Sequence, residues 1–283
     1  MASDNNAHTS GSAEGEQQGS YYLNYDNFEE ELVAQVRREA FGEDIGQFGW
    51  LTADEYRRFF ARLELEPTSR VLDVACGSGG PALFMAREVG CHVTGMDISE
   101  NGIRIATNLA QEQGMTSQVE FRHGDASQPL PFEDNSFDAV VCIDAINHLY
   151  NRLEALKEWY RVLRPGGRML FTDPITVTGM IRRDEMIIRS GSMGLFVFTA
   201  PGVDEHLIEA AGFDQIMAED VTPNIAMVSK NWHDARANHQ ADLLRIEDQS
   251  EYESFQTFLS VVHTLSDERR LSRFVFVARK PRS

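Results

Sequence analysis

The sequence is poor in basic residues and in cysteine, and both shortages limit what the protein can do. Its 26 lysines and arginines are outnumbered by 44 aspartates and glutamates, which leaves a formal charge of −18. Such a surface repels a phosphate backbone, so we expect no nucleic-acid partner. The three cysteines are Cys76, Cys91 and Cys142. An odd number in or beside predicted strands is typical of buried, reduced thiols rather than of a disulfide framework.

Long apolar runs and metal-ligand spacings are also missing. No apolar run approaches the length that crosses a bilayer, and the N-terminus lacks the basic and apolar pattern of a secretion signal. We therefore expect a cytoplasmic protein with no membrane partner. Neither C-x-x-C nor H-E-x-x-H occurs, and the spacing of His233 and His239 does not fit a metal site. No metal is predicted.

The chain does contain enough apolar sequence for a full core, in a repeating order. Hydrophobic residues make up 42% of 283 residues, which suits one large domain or one domain with a cap. Strand-like and helix-like segments alternate with short loops, which predicts an α/β fold with a doubly wound parallel sheet. The predicted strands are 71–75, 91–99, 119–123, 137–144, 168–174, 215–221 and 271–279, and the predicted helices are 28–40, 52–63, 82–89, 100–113, 151–162 and 203–211.

Composition divides the chain into a tail, a lid and a main domain. Residues 1–20 are rich in small and polar side chains, so we predict a disordered tail. Residues 21–69 are helical and rich in aromatics, and they form either a structural flap or a lid over a ligand. Residues 70–283 form the main domain. Within it, residues 175–200 and 222–267 depart from the strand and helix order, and we interpret them as inserts that cap the substrate.

A glycine-rich turn after the first predicted strand is the clearest sign of a ligand. Asp73 interrupts an apolar run, and a buried carboxylate needs partners such as loop amides or the ammonium group of a ligand. Gly77 and Gly79 let a ligand approach the backbone. Residues 77–82 also fit G-x-G-x-x-A, with Asp97 at the spacing of a ribose-binding acid. The turn alone therefore does not separate a nicotinamide dinucleotide from S-adenosylmethionine, nor does it exclude an ordinary turn.

Polar residues follow the later strands, where ligands of such sheets gather. Asp125 comes after the third strand, where an acid can bond the exocyclic amine of an adenine. His148 follows the fourth strand and titrates near neutrality, so we predict it as the general base. The alternative is that His148 caps the next helix or packs in a wall. Asp144 either pairs with His148 and contacts the substrate or satisfies loop amides.

Other residues are weaker candidates for contact with the acceptor substrate. Asp173 either meets a cationic acceptor or stabilises its loop. Trp232 and His239 lie along one stripe of a predicted helix in the second insert. Such a stripe is typical of packing, and contact with the acceptor is the alternative.

Five motifs, in their order and spacing, resemble the class I S-adenosylmethionine-dependent methyltransferases. They are VLDVACGSGG at 71–80, GMDIS at 95–99, GDA at 124–126, LPFEDNSFDAV at 130–140 and RVLRPGG at 161–167. The acid within the first strand and the late Arg-Pro-Gly-Gly turn are similar to methyltransferases and unusual in dehydrogenases. The chain most resembles the branch of glycine, sarcosine and dimethylglycine N-methyltransferases and related natural-product O-methyltransferases.

The resemblance implies a Rossmann-like sheet of seven strands, with the last strand antiparallel and inserted between its two predecessors. It also implies S-adenosylmethionine as the cofactor. Trp50 or Tyr21 would close over the methionine part of that molecule. The other implied contacts are Gly77 and Gly79 with the methionine part, Asp97 with the ribose, Ile98, Asp125 and Ala126 with the adenine, and Ile143 beneath the sulfonium.

The predicted function is the transfer of a methyl group to nitrogen or oxygen of a small-molecule acceptor by in-line displacement. Holding the two reactants in line and away from water supplies most of the acceleration of such a reaction. C-methylation, a nicotinamide-dependent oxidoreductase and a non-catalytic cofactor-binding protein are the alternatives. The sequence leaves open the identity of the acceptor and whether the chain forms a homo-oligomer.

Overall fold

The structure is a computed structural model that describes residue 25 and residues 27–191 and 197–282. The tail predicted at 1–20 and the candidate residue Tyr21 lie outside the described residues.

A mixed β-sheet forms the centre of the fold. In the described part of the chain its strands are β1 (Arg70–Val74), β2 (His92–Asp97), β3 (Val119–His123), β4 (Phe137–Cys142), β5 (Leu163–Val177), β6 (Asp214–Asp220) and β7 (Leu271–Arg279). Their order across the sheet is β3-β2-β1-β4-β5-β7-β6. Strand β7 is antiparallel to both of its neighbours, β5 and β6. The predicted fold class, including the position of the last strand, is confirmed.

Helices cover both faces of this sheet and one end of it. They are α1 (Glu31–Phe41), α2 (Ala53–Leu63), α3 (Gly80–Val89), α4 (Glu100–Glu112), α5 (Arg152–Val162), α6 (Arg183–Gly191), α7 (Val203–Ala210), α8 (Thr222–Asn238), α9 (Gln240–Leu243) and α10 (Gln249–Asp267). A 3₁₀ turn spans Ile146–His148. The Thr52 side chain caps α2 by accepting a hydrogen bond from the Glu55 N–H.

Alternate residues of the strands pack into two separate hydrophobic cores, one on each face of the sheet. Val71 packs with helices α2 and α3 on one face, whereas Leu72 and Val74 pack with α5 and α7 on the other. This alternation follows from the two-residue period of a strand, and it explains why β1 is apolar on both sides. The chain crosses over in opposite directions on the two sides of β1. Such a switch point leaves a crevice at the carboxyl ends of the strands, where ligands of this architecture bind.

A third core joins the N-terminal region to the second insert. Helices α8 and α10 pack against each other, and α1 packs against α8. Phe41, Trp50, Trp232 and Phe258 are buried together in this cluster. Residues far apart in the sequence therefore form one cap beside the sheet.

Several predicted boundaries differ from the structure, among them the start of β5 and the end of β4. The late Arg-Pro-Gly-Gly turn lies inside β5, because Leu163 already pairs with Phe137, and pairing resumes at Arg168 with Ala139 after a bulge. Gly166, with a φ of 84°, permits this bulge. The strand predicted to reach residue 144 ends at Cys142, and Asp144 adopts a left-handed conformation with a φ of 54°.

Candidate active site

A cavity of about 530 Å³ lies over the carboxyl ends of the strands. The carboxyl ends of the strands and their loops line one part of it. The segment 46–51 lines another part, together with Arg189, Trp232, Phe255 and Phe258. This volume falls in the range of small-molecule sites. The cavity therefore joins the sheet to the cap.

The glycine turn approaches its neighbours too closely for any side chain. Gly79 has a φ of 76°, and a Cβ atom there would lie 2.5 Å from the Phe121 ring. A Cβ on Gly80 would lie 2.1 Å from the carbonyl oxygen of Ile45. Gly77 lines the cavity, whereas Gly79 does not. The second glycine therefore serves the packing of the turn.

The two acids of this turn differ in their partners. The Asp97 carboxylate accepts hydrogen bonds from the N–H groups of Gly77 and Ser99, both at 2.8 Å. These bonds favour the charged form, although burial still raises the Asp97 pKa. Among the described residues, none donates a hydrogen bond to the Asp73 carboxyl group. Burial and the nearby charge of Asp97 raise the pKa of Asp73 to about 8.

Beyond Asp97, the cavity changes from charged to partly apolar. Ile98 is 45% exposed, which is unusual for such a side chain, and it lines the cavity with Ala126. Asp125 also lines the cavity, and its carboxylate accepts a hydrogen bond from the Ser127 N–H at 2.8 Å. An exposed apolar side chain between acids suits a flat heterocycle with polar edges.

Another group of cavity residues lies just after the carboxyl end of β4. His148 ends the 3₁₀ turn, lines the cavity and is half-buried. Ile143 and Asp144 line the same cavity. The Asp144 carboxylate accepts hydrogen bonds from the Trp50 N–H at 3.0 Å and from Arg273 at 2.7 Å. Of the two roles predicted for Asp144, the structure shows a bond to a loop amide.

Aromatic side chains from the segment before α2 and from helices α8 and α10 form the opposite wall. We call this cluster the aromatic wall; its members are Phe48, Trp50, Trp232, Phe255 and Phe258. The ring centroids of Trp232 lie 5.8 Å from Phe48 and 5.3 Å from Phe255, in edge-to-face contacts. Arg189 is the one lysine or arginine that lines the cavity among the described residues. Burial lowers its pKa to about 10, so it stays charged at neutral pH.

Three of the predicted site residues do not line this cavity. They are Gly79, Asp173 and His239. Asp173 is fully buried and forms an ion pair with Arg152 at 2.6 Å, because the strand that carries it continues past the predicted end. His239 ends α8 and contacts Glu39 at 2.8 Å. The structure therefore does not bring Asp173 or His239 to this cavity.

Other cavity residues were not singled out from the sequence. Phe255 and Phe258 are three residues apart on α10, a spacing that puts both on one helix face. Arg189 carries no comparable signal. Behind the cavity, Arg273 is a charged residue inside the buried strand β7. It interrupts that strand as Asp73 interrupts β1, and this signal could have identified it.

Within 27–191 and 197–282 and at residue 25, no group of His, Cys, Asp and Glu side chains could hold a metal ion. No helix there is both long and apolar enough to span a membrane.

The lining groups match the chemistry of S-adenosylmethionine. Asp73 offers a carboxyl group that lacks a donor among the described residues, as an ammonium group requires. Asp97 is fixed by two amides and keeps lone pairs for ribose hydroxyls. Ile98 presents apolar surface to an adenine. These residues fit the cofactor.

Comparisons with known proteins agree with this fit. Residues 72–171 match a family model described as a methyltransferase domain. The 27-O-demethylrifamycin SV methyltransferase of Amycolatopsis mediterranei is 31% identical over 79% of this chain and 82% of its own length. Methyltransferase GfsG of Streptomyces halstedii is 33% identical over 58% of this chain, which spans 60% of that protein.

A solved structure shows the same fold. Phosphoethanolamine N-methyltransferase 2 of Haemonchus contortus, in complex with phosphomonomethylethanolamine and S-adenosylhomocysteine, superposes with a TM-score of 0.78 at 22% identity. The match covers 92% of this chain and 59% of that one. The sheet order, the residues that line the cavity and the relatives lead to one conclusion: this chain belongs to the class I S-adenosylmethionine-dependent methyltransferases.

Proposed function

We propose that this enzyme methylates a nitrogen or an oxygen atom of a small-molecule acceptor that binds against the aromatic wall. The observation that carries the proposal is the shape of one cavity. It joins the acids of the sheet edge to a wall of five aromatic side chains. Apolar surface with a few polar groups is typical of sites for small organic ligands.

The sheet edge would hold the cofactor, which supplies a methyl group activated on a positive sulfur. In our proposal Asp73 receives the ammonium group, Asp97 the ribose hydroxyls and Asp125 the adenine edge. Ile98 and Ala126 would flank the adenine, and Ile143 and Gly77 would lie near the methionine part. All of these residues line the cavity. Their role is to bind and orient, because a displacement of this kind needs alignment more than chemical assistance.

We propose that the segments around the sheet exclude water from the reaction. Residues 21–69 would act as the lid, and 175–200 and 222–267 as caps on the main domain at 70–283. Trp50 in the lid and Trp232 in the second cap share the aromatic wall, which supports a common role. Excluding water keeps the electrophilic methyl group from side reactions.

His148 is our candidate for the general base. An amine or a phenol loses a proton when it is methylated, and a histidine near neutral pH can accept that proton. Its support is its place in the cavity wall beside the end of β4. Asp144 is engaged by Trp50 and Arg273, so it is the weaker candidate for this task.

The names of the relatives include an O-methyltransferase and an N-methyltransferase, which supports acceptors of both kinds. The test is incubation with methyl-labelled cofactor and pooled metabolites, followed by isolation of the labelled product. We expect a product in which NMR shows the label on nitrogen or oxygen. A label on carbon would replace the proposal with C-methylation. Tight binding of S-adenosylhomocysteine without any labelled product would favour a non-catalytic protein.

A control variant distinguishes loss of cofactor binding from loss of acceptor binding. Asp97→Ala removes the carboxylate that orders the glycine turn, so we expect the variant to lose cofactor binding and labelling together. Labelling that persists in this variant would contradict the assigned cofactor site.

A further inference from the structure

A buried hydrogen-bonded network connects strand β7, which lies between β5 and β6, to the lid. We call it the Arg273 network; its members are Glu55, Asp144, Asn224 and Arg273. The Arg273 Nε atom donates to Asp144 Oδ1 at 2.7 Å, and a terminal nitrogen donates to Glu55 Oε2 at 2.7 Å. The Arg273 and Glu55 side chains have no exposed surface. Arg273 does not line the cavity, whereas Asp144 does.

The main chain of Trp50 is bonded to this network on both sides. Its N–H donates to Asp144 Oδ2 at 3.0 Å. Its carbonyl oxygen accepts a hydrogen bond from the Asn224 side-chain amide at 2.6 Å, and the same amide donates to Glu55 Oε2 at 3.0 Å. The Arg273 guanidinium therefore bonds two carboxylates, and the Thr172 hydroxyl also donates to Asp144 Oδ1 at 2.8 Å. Asp144 reaches the amide of Trp50 directly, and Glu55 reaches its carbonyl through Asn224. Trp50 is itself a member of the aromatic wall.

Two backbone features show that the contact between the Asp144 carboxylate and the Trp50 main chain depends on the local backbone geometry. Asp144 has a φ of 54°, a conformation that Asp tolerates better than most residues. A Cβ atom on Gly49 would lie 3.2 Å from Asp144 Oδ2, so the lid backbone approaches the carboxylate closely. A small change in the direction of the carboxylate would therefore be transmitted to the lid.

Arginine suits this task because its planar fork fixes several donors at once. Lysine carries the same charge, but it is a single point donor and cannot satisfy two carboxylates in the same directions. Inside the protein such charge-assisted bonds are strong, and Glu55, whose side chain has no exposed surface, has no water to replace a lost bond.

We infer that Arg273 is a positioning residue that fixes Trp50, and with it the lid side of the cavity, through Asp144 and through Glu55 and Asn224. It touches neither the cofactor nor the acceptor. The inference goes beyond methyl transfer to any particular acceptor, since it concerns the geometry of the cavity before chemistry begins.

The test uses two variants that lie outside the cavity. Arg273→Lys keeps the charge but loses the fork, and Asn224→Ala keeps Arg273 but removes the amide that donates to the Trp50 carbonyl and to Glu55. Hydrogen exchange of the ligand-free full chain is followed for peptides that cover 47–52, and the dissociation constant of S-adenosylhomocysteine is measured by calorimetry. We expect exchange at 47–52 to accelerate about tenfold and the dissociation constant to rise about tenfold, the size of one lost hydrogen bond.

Asp204→Asn is the matched control. Asp204 is a buried carboxylate that bonds a second buried arginine, Arg152, at 2.8 Å. Neither residue lines the cavity. We expect this variant to lower the melting temperature while exchange at 47–52 and the dissociation constant stay within about twofold of the parent, less than one hydrogen bond would change them.

Each result of these measurements either supports the inference or overturns it. If Arg273→Lys and Asp204→Asn lose stability alike and both leave exchange and affinity unchanged, Arg273 is merely structural and the inference fails. If Arg273→Lys does not fold, Asn224→Ala decides alone, because Asn224 is only half-buried. Unchanged exchange at 47–52 in that variant would also overturn the inference. Neither readout requires an acceptor, so failure of the proposed function would not affect this test.

Discussion

Two buried arginines in this protein are surrounded by nearly the same chemistry and support different regions. Arg273 lies between Asp144 and Glu55. Arg152 lies between Asp173 and Asp204, and its other terminal nitrogen donates to the carbonyl oxygen of Val197 at 2.6 Å. We call the second set the Arg152 network. The first network continues to Trp50 and the cavity, whereas the second joins β5 and α5 to the start of α7.

The comparison shows that the groups bonded beyond the ion pair determine what it supports. Each network sets one guanidinium against two carboxylates, an excess of negative charge that burial opposes. Burial accordingly raises the pKa of Glu55 in one network, and raises the pKa of Asp204 to about 7 in the other. Both networks therefore contain the same excess of buried negative charge. The contact with Trp50 belongs to the Arg273 network alone.

The largest effect is expected from removing either guanidinium. Arg273→Met and Arg152→Met each leave two buried carboxylates without their cation, so we expect each to lower the free energy of unfolding by about 3–5 kcal/mol. Urea unfolding measures this loss. Binding of S-adenosylhomocysteine then distinguishes the two variants, because only Arg273→Met disturbs Trp50. If both variants lost the same affinity for S-adenosylhomocysteine, the two networks would not support different regions.

A change inside the cavity and outside both networks should leave stability unchanged. We expect His148→Ala to reduce turnover about 100-fold or more if His148 is the general base, with the affinity for S-adenosylhomocysteine unchanged. Turnover against pH measures this, and the parent should lose activity as the pH falls below the pKa of the base. Unchanged turnover in His148→Ala would remove this residue from the mechanism.

Asp73 differs from the carboxylates of both networks, because no described residue donates a hydrogen bond to this buried acid. Its pKa is raised to about 8, so near pH 7 it is largely protonated without ligand. An arriving ammonium group would favour the carboxylate and release about one proton. Calorimetry in buffers of different ionisation enthalpy measures this release. We expect Asp73→Asn to abolish it and to weaken binding about tenfold, the value of a charge-assisted bond.

Identical proton release in Asp73→Asn would show that the ammonium group binds elsewhere. Asp144→Asn is a less useful control for this purpose, because Asp144 is already bonded to Arg273 and Trp50. Asp204→Asn lies outside the cavity, and we expect it to release the same proton as the parent.

The comparison also predicts a pH dependence of stability in the Arg152 network. The folded-state pKa of Asp204, about 7, exceeds its ordinary value of 3.8. The folded state therefore binds more protons than the unfolded state between these values, and the contribution of Asp204 to stability falls as the pH rises from about 4 to about 7. We expect Asp204→Asn to flatten this slope. Melting temperatures at pH 5, 6 and 7 measure it, and an unchanged slope would contradict the assignment.

Local patterns were enough to predict most of the sheet and the cofactor side of the cavity. The glycine turn, Asp97 and Asp125 follow strands whose apolar runs are short and clear, and parallel strands bring their carboxyl ends to one edge. Asp173 shows the limit of this logic. It follows the same rule in the sequence, yet its strand continues to Val177 and its carboxylate is enclosed by Arg152 and Thr199.

The order of strands and helices, the class of the enzyme and its cofactor follow from the sequence by itself, because periodicity and the glycine turn act between near neighbours. Only the tertiary structure decided which side chains meet across the cap. Arg273 and Asp144 are 129 residues apart, and Asn224 and Trp50 are 174 apart. Such pairs form when separate helices and strands pack around a shared core, and no local period records that packing.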